Sequence, residues 1–219
     1  LNFILNKYHI PYKFITIEGN IGAGKTTLTT LLQKQLNAKL ILEQFADNPF
    51  LPKFYKNKEK YAFPLELSFL AERYKQLRDN ILHRDLFSDY MISDYLFVKS
   101  KLFAKVNLPE DEFDLYETLF DIIYAHLPKP DLIIYLDTPL QKLRNNIVTR
   151  NRNYEQEIPD SYLIELHEAY LNLLKSDTYT TLIVDTSFSD FLHNEAHFHQ
   201  LMKALENQYL HGRHYLQIR

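Results

Sequence analysis

A glycine-rich stretch near the start of the chain carries the residues best suited to chemistry. It reads G-x-x-x-x-G-K-T from Gly19 to Thr26, and three of the chain's four glycines lie in it. Glycine lets the backbone turn so that successive N–H groups surround phosphate oxygens. Residues 14–18 before it are typical of a buried strand, and residues 25–37 after it have the pattern of a helix. This context predicts a phosphate-binding loop in which Lys25 contacts the β- and γ-phosphates of a nucleotide and Thr26 contacts Mg²⁺.

The loop as a whole is expected to bind the phosphate donor. Backbone N–H groups supply most of the contacts in loops of this type, and the helix that follows adds a positive N-terminal end. The expected donor-binding residues are Gly19, Asn20, Ile21, Gly22, Ala23, Gly24, Lys25, Thr26 and Thr27.

Strand-like and helix-like segments alternate along the rest of the chain. Apolar runs predict five strands at residues 14–18, 40–42, 91–93, 132–136 and 182–184. Helical patterns cover residues 25–37, 64–86, 96–105, 111–126, 139–149, 160–176 and 194–207, with Pro64 in a first turn. The alternation predicts an α/β fold, a parallel five-stranded sheet with helices on both faces and ligands at the carboxyl ends of the strands. Residues 53–60 and 151–159 are expected to be mobile excursions over that edge.

Composition limits the kind of protein this can be. A length of 219 residues suits one domain over 1–219, with an N-terminal extension at 1–12 and a C-terminal tail at 207–219. The net charge of −3 does not favour a nucleic-acid polymer as partner, and no apolar run is long enough to span a membrane. The lack of cysteine excludes disulfides and thiolate metal sites and fits an intracellular protein, so we expect a cytoplasmic enzyme.

Carboxylates after predicted strands are candidates for proton transfer and metal binding. Glu43 follows the second strand and could accept a proton from a hydroxyl that attacks the γ-phosphate. Asp94 and Asp137 end the third and fourth strands, and either could hold the metal with Thr26.

Two further groups of residues predict contacts to a substrate. Glu66 and Arg73 lie seven apart on one helix face and could bind the edge of a purine. The helix pattern by itself favours the alternative, in which the two residues border an amphipathic core helix. Arg150 and Arg152 lie at a helix end that runs into a polar loop. They could swing onto the transferring phosphoryl oxygens as a lid, or belong to a basic surface loop.

These motifs together resemble the deoxynucleoside kinase family, most closely its bacterial deoxyguanosine and deoxyadenosine kinases. The resemblance runs from about residue 14 to residue 191, with the motifs in the family's order and spacing. It implies the P-loop kinase fold, ATP and Mg²⁺ as cofactors, a lid loop and a homodimer. The matching residues are Gly19–Thr26, Glu43, Tyr55, Glu66, Arg73, Ser93-Asp94-Tyr95, Arg150, Arg152 and Glu155.

The resemblance also implies a role for each position. Glu43 stands where the family has its general base for the 5′-hydroxyl, and Tyr55 and Glu155 match the pair that holds the 3′-hydroxyl. Glu66 stands where many members carry a base-reading glutamine, and Arg73 where a base-contacting arginine occurs.

The remaining matches concern the donor side of the site. Arg150 and Arg152 match the lid, and Asp190 and Phe191 fall near the loop that contacts the donor adenine. Asp94 matches the acidic residue after the third strand, so the resemblance favours Asp94 over Asp137 as the metal ligand.

The chain departs from the family at two positions. The acidic-Arg-Ser motif is here Asp94-Tyr95-Leu96, so its arginine is missing, and Lys99 one helical turn later is a candidate for the missing charge. Asn146 stands where some members carry an arginine ahead of the lid.

The predicted activity is ATP-dependent phosphorylation of the 5′-hydroxyl of a purine deoxynucleoside in nucleotide salvage. An ionised Glu66 only accepts hydrogen bonds, which suits the adjacent N1–H and N2 amino donors of guanine, with Arg73 serving O6. Deoxyguanosine is therefore favoured and deoxyadenosine comes next. Two alternatives stay open: a nucleoside monophosphate kinase such as a thymidylate kinase, and a P-loop regulator that binds nucleotide without turnover.

Overall fold

Six parallel strands form the centre of the molecule. The computed structural model describes residues 8–43, 48–82, 88–152, 155–175 and 178–219. The sheet has the order β2-β3-β1-β4-β5-β6, and all neighbouring strands are parallel. The strands are β1 (Phe14–Gly19), β2 (Lys39–Ile41), β3 (Met91–Ser93), β4 (Leu132–Asp137), β5 (Thr180–Asp185) and β6 (Gly212–Gln217).

Helices connect the strands and cover the sheet, which confirms the predicted α/β fold. In the described residues they are α1 (Lys25–Leu36), α2 (Leu51–Lys56), α3 (Lys58–Leu82), α4 (Lys99–Asn107), α5 (Glu110–Tyr124), α6 (Leu140–Arg150), α7 (Asp160–Leu173) and α8 (Glu195–Leu205). None of the helices in these ranges is both long and apolar enough to cross a membrane.

The central strands are buried on both faces, which explains their nearly continuous apolar sequences. β1 is buried throughout, and side chains that alternate along β4 enter two separate cores. Ile133 and Tyr135 pack with α3, α4, α5 and α7, whereas Ile134 and Leu136 pack with α1 and α8. The strand order runs outward in both directions from β1, so a crevice opens at the carboxyl ends of β1 and its neighbours β3 and β4.

The sheet has six strands and not the predicted five, because residues near the C-terminus form an additional strand. Residues 207–219, expected to form a tail, contain β6, which pairs with β5 from Thr180–Gly212 to Asp185–Gln217. β6 is an edge strand whose side chains alternate between partly buried and exposed positions. It therefore lacks the apolar run that marks a central strand.

The segment at residues 53–60 is helical, which corrects the expectation of a mobile excursion. It supplies most of α2 and the start of α3, and Phe54 is buried in the core. The helix α3 begins six residues before the predicted start, so Pro64 lies inside it and not in its first turn. Burial of Ala62 and Leu65 on either side of Pro64 holds this part of the helix against the core. The predicted end of this helix at residue 86 lies outside the described residues, as do residues 1–7 of the expected extension.

Candidate active site

The phosphate-binding loop connects β1 to α1 with the backbone that its glycines predict. Gly22 and Gly24 have φ values of 83° and 89°, and Gly24 caps the N-terminus of α1. A Cβ on Gly22 would lie 2.8 Å from the carbonyl oxygen of Leu143, so α6 packs directly on the loop. Asn146, one of the departures from the family, donates a hydrogen bond of 2.8 Å to the Gly22 carbonyl. The loop is thus held in place by α6, and its residues from Ile21 to Thr27 line the cleft.

Lys25 lies folded over this loop. Its Nζ donates to the carbonyl oxygens of Gly19 at 2.9 Å and Asn20 at 3.0 Å. Burial and the positive charge of Lys99 lower the pKa of Lys25 to about 8. A phosphate that enters the loop would stabilise the charged ammonium, so binding of a nucleotide and protonation of Lys25 support each other.

A short chain of hydrogen bonds joins the loop to the ends of β2 and β3. The Thr26 hydroxyl donates to Asp94 Oδ2 at 2.8 Å, and the backbone N–H of Glu43 donates to Asp94 Oδ1 at 2.7 Å. Asp137 lies elsewhere, 4.0 Å from His167 Nδ1, on a separate cavity of about 270 Å³. Of the two carboxylates considered for the metal, Asp94 is the one that contacts Thr26.

Two cations hold the carboxylate of Glu43. Arg73 donates to Glu43 Oε1 from Nε at 2.7 Å and also from Nη2, and Lys99 Nζ lies 2.9 Å from Oε2. All three side chains are less than 10% exposed. Burial alone would raise the pKa of Glu43, but the charges of Arg73 and Lys99 outweigh it and hold the pKa well below its ordinary value. Glu43 is therefore ionised, and Lys99 supplies a positive charge next to it.

Arg73 is directed toward this carboxylate and not toward an open part of the cleft. Its third nitrogen, Nη1, donates to the Ser100 hydroxyl at 2.7 Å, and the guanidinium carbon lies 4.9 Å from the centre of the Phe69 ring. Contact between Arg73 and a base remains a prediction. These contacts use three of the five N–H groups of the guanidinium.

Glu66 lies two helical turns before Arg73 and is 2% exposed. Its Oε1 accepts a hydrogen bond of 2.7 Å from Asn107 Nδ2 at the end of α4. Burial raises the pKa of Glu66 to about 7, although the hydrogen bond from Asn107 and the charge of Arg73 both act to lower it. Glu66 therefore changes charge near neutral pH, which is unusual for a carboxyl group.

Arg150 and Arg152, the arginines predicted for the lid, both contact Glu155. Arg150 Nη2 and Arg152 Nη1 donate to Glu155 Oε1 at 2.7 and 3.1 Å. Burial raises the pKa of Glu155 against the effect of the Arg152 charge. Residues 153 and 154 of the predicted 151–159 excursion lie outside the described residues, but Glu155 and Ile158 beyond them are buried.

One continuous cleft of about 680 Å³ brings most of the predicted site residues together. Lys25, Thr26 and Glu43 line it. The residues expected to contact the deoxynucleoside also line it: Tyr55, Glu66, Arg73 and Glu155. The residues expected to act on the donor side line it as well: Arg150, Arg152, Asp190 and Phe191. Gly19 and Asn20 form the start of the loop but do not line this cleft.

Several residues that complete the site were not found from the sequence. Ser100 and Tyr162 were not considered, and Asn107 was placed beyond the end of a predicted helix. The available signal is a row at i, i+4 and i+8 on α4, Lys99, Phe103 and Asn107, which all line the cleft. From sequence alone, such a row indicates core packing unless the helix is known to face a ligand.

Comparison with known proteins identifies the family. The family model for deoxynucleoside kinase matches residues 15–211. The chain belongs to the deoxynucleoside kinase family. It is a phosphotransferase with an alcohol acceptor, as the sequence predicted.

The relatives of this deoxynucleoside kinase match most of its length. Deoxyguanosine kinase of Bacillus subtilis (strain 168) is 38% identical over 193 residues, which cover 86% of this chain and 93% of that protein. Deoxyadenosine/deoxycytidine kinase of the same organism is 32% identical over 176 residues, covering 77% of this chain and 80% of that protein. The solved structure of deoxyadenosine kinase from M. mycoides with bound dATP matches with a TM-score of 0.75 at 24% identity, over 89% of this chain and all of that one. The last likeness supports the fold.

Proposed function

We propose that this deoxynucleoside kinase transfers the γ-phosphate of ATP to the 5′-hydroxyl of a purine deoxynucleoside, with deoxyguanosine preferred and deoxyadenosine next. The observation that carries the proposal is the linked set Thr26–Asp94–Glu43, which fixes an ionised carboxylate beside the phosphate-binding loop. A carboxylate there accepts a proton from a neutral hydroxyl, whereas it would repel the phosphate of a nucleotide acceptor.

The proposed reaction moves one proton and one phosphoryl group. The 5′-oxygen attacks the γ-phosphorus, the bond from that phosphorus to the bridging oxygen of ADP breaks, and Glu43 takes the hydroxyl proton. Because Arg73 and Lys99 lower its pKa, Glu43 is a weak base before the reaction. In a loose transition state the hydroxyl loses its proton late, when its oxygen has become acidic through bonding to phosphorus. A weak base held in position is sufficient for such a step.

Cationic side chains are proposed to hold the phosphates. Lys25 would exchange the Gly19 and Asn20 carbonyls for phosphate oxygens, since both contacts are to neutral acceptors. Arg150 and Arg152 would act from the lid, where they now share one oxygen of Glu155. They are proposed to stabilise charge on the transferring group, and Tyr55 and Glu155 to hold the 3′-hydroxyl.

Thr26 and Asp94 fit a Mg²⁺ ion. Hard oxygen ligands and phosphate oxygens are what Mg²⁺ selects, and both side chains offer oxygen beside the loop. When bound, the ion neutralises charge on the β- and γ-phosphates. Within the described residues no group of three or more acidic or histidine side chains is placed to hold a metal ion.

The purine preference is proposed from Glu66. Its carboxyl is buried on the acceptor side of the cleft, and its ionised form accepts hydrogen bonds without donating any. Guanine presents two adjacent donors on its Watson–Crick edge, whereas adenine and cytosine present one donor beside an acceptor.

Release of ADP with different acceptors tests the proposal. With ATP, the proposal expects fast ADP release with deoxyguanosine and only background release with thymidylate. The opposite order would indicate a nucleoside monophosphate kinase, and equal background rates for both would indicate a regulator without turnover.

A homodimer is proposed from an exposed apolar face on α5. Leu115, Leu119 and Ile122 are 55%, 39% and 64% exposed and lie at i, i+4 and i+7 on one side of the helix. A second copy of the chain would cover this face. Sedimentation velocity over a range of concentrations should give a dimer that Leu119→Glu dissociates. A wild-type protein that stays monomeric at high concentration would overturn this proposal.

A further inference from the structure

Two buried oxygen atoms that can accept hydrogen bonds belong to side chains that line the cleft. Glu66 Oε2 and Asn107 Oδ1 have no hydrogen-bond partner among the described residues. Both side chains line the cleft, and they are 2% and 7% exposed. Buried polar atoms are nearly always paired because an unpaired one is costly. Two of them on neighbouring side chains indicate that a ligand supplies the missing donors.

The contact between the two side chains determines which atoms remain for a ligand. An ionised Glu66 can only accept, so Asn107 must turn Nδ2 toward Glu66 Oε1, as it does at 2.7 Å. This leaves Asn107 Oδ1 and Glu66 Oε2 as acceptors on one pair of side chains. The Tyr162 hydroxyl also interacts with the Asn107 side chain. Both oxygens are covered by neighbouring side chains, so binding of a base includes a rotation of those side chains.

A guanine base has the complementary pattern. Its N1–H and N2 amino groups are adjacent donors, and N1–H is the more acidic of the two. The charged carboxylate is the stronger acceptor and suits N1–H, which leaves the neutral amide oxygen for the amino group.

We propose that Asn107 is a second base-reading residue, whose Oδ1 accepts a hydrogen bond from the 2-amino group of the purine while Glu66 Oε2 accepts from N1–H. This assignment rests on the proposed function. The sequence alone assigned both N1–H and the 2-amino group to Glu66, whereas here the 2-amino group is bound by Asn107. It also gives Asn107 a positioning role, because its donation to Oε1 holds Glu66 in place.

Substrates that differ only in the 2-amino group test the assignment. Deoxyguanosine and deoxyinosine form one such pair, and the deoxyribosides of 2,6-diaminopurine and adenine form another. Each pair is offered in one tube with ATP, so the product ratio equals the ratio of kcat/KM values and any effect on ATP cancels. One buried hydrogen bond predicts that the amino compound is favoured about 5- to 100-fold in both pairs.

Asn107→Ala should bring both ratios close to one. The variant should still prefer deoxyinosine to deoxyadenosine, because Glu66 continues to read N1. A merely structural role for Asn107 would lower the rates of both members of a pair alike and leave their ratio unchanged. Asn146→Ala is the matched control: it removes the contact to the Gly22 carbonyl on the donor side and should slow the reaction without changing either ratio.

The outcomes separate this assignment from the proposed function. If the wild-type protein phosphorylates deoxynucleosides but gains nothing from the 2-amino group, the assignment of Asn107 is overturned whether or not the variant folds. Asn107→Ala that keeps the wild-type ratios overturns it as well. Failure to phosphorylate any deoxynucleoside would instead refute the proposed function.

Discussion

Replacing Glu43 with glutamine should remove most of the phosphoryl transfer. The substitution keeps the shape of the side chain and one acceptor oxygen for Arg73 but removes the negative charge and the ability to take a proton. Loss of a general base costs about 10²- to 10⁴-fold in rate. We therefore expect kcat to fall by about that factor, with ATP affinity changed only a few-fold because the loop contacts of Lys25 remain.

The same substitution should destabilise the fold, for a reason visible in the site. Arg73 and Lys99 are 4% and 7% exposed at the side chain, and Glu43 neutralises both. Removing one partner from a buried ion pair costs about 3–5 kcal/mol, because a charge is left without compensation. Urea unfolding should show a loss of this order. Glu168→Gln, which neutralises an exposed carboxylate on α7, is the control and should change neither stability nor rate.

The rate is measured as formation of the deoxynucleoside 5′-monophosphate by folded protein at saturating ATP, and ATP binding by calorimetry. Glu43→Asp keeps the charge and should recover stability more fully than rate, because the shorter side chain displaces the base. A Glu43→Gln variant with nearly full turnover would remove Glu43 from the mechanism. A loss that resides wholly in ATP affinity would show that the carboxylate acts on the donor site only.

Further predictions concern other parts of the cleft. Lys25→Ala should lose both transfer and tight ATP–Mg²⁺ binding, and unchanged ATP affinity and rate would contradict the phosphate-loop assignment. Arg152→Ala should lower kcat more than it raises the deoxynucleoside KM, and Arg150→Ala should do so to a similar or lesser degree. The reason is that charge on the transferring group is greatest in the reacting complex. A change in KM alone would show that the two arginines only bind the substrate. Glu66→Gln should shift preference toward deoxyadenosine or deoxycytidine, because the amide offers a donor beside an acceptor, and unchanged selectivity would remove Glu66 from base reading. The same variant should gain stability over wild type by up to about 3 kcal/mol as pH rises from about 4.5 to about 7. Over this range Glu66 ionises in the unfolded wild-type chain, whereas burial raises the pKa of the folded carboxyl and keeps it neutral. Parallel pH profiles of unfolding free energy would contradict this expectation.

Local chemistry made the phosphate-binding half of the site predictable. The residues from Gly19 to Thr26 are consecutive, and their glycine spacing already specifies the backbone that the structure has. Glu43 and Asp94 follow strands of a parallel sheet, so a shared edge brings them near the loop without further information.

The acceptor half depended on packing that no short motif encodes. The carboxylate of Glu43 is bound by Arg73 on α3 and Lys99 on α4. These two residues are 26 positions apart in the sequence and meet only because the two helices pack against each other. The contact between Glu66 and Asn107 has the same origin. Arg73 was expected at the base because the helix face it shares with Glu66 is visible in sequence, whereas the carboxylate that attracts it is not.

The strand β6 and the helix α2 were not predicted, for a different reason. β6 has one face only partly covered, and α2 has six residues, so neither has the length or apolar pattern that distinguishes an element from a loop.

Incubation with ATP, Mg²⁺ and an equimolar mixture of the four deoxynucleosides tests the proposed reaction most directly, with the nucleotide products separated by chromatography. The proposed function predicts deoxyguanosine 5′-monophosphate as the main product, deoxyadenosine 5′-monophosphate second, and one ADP for each monophosphate formed. Formation of thymidine or deoxycytidine monophosphate as the main product would contradict the purine preference, and ADP release without any deoxynucleoside monophosphate would contradict the proposed reaction itself.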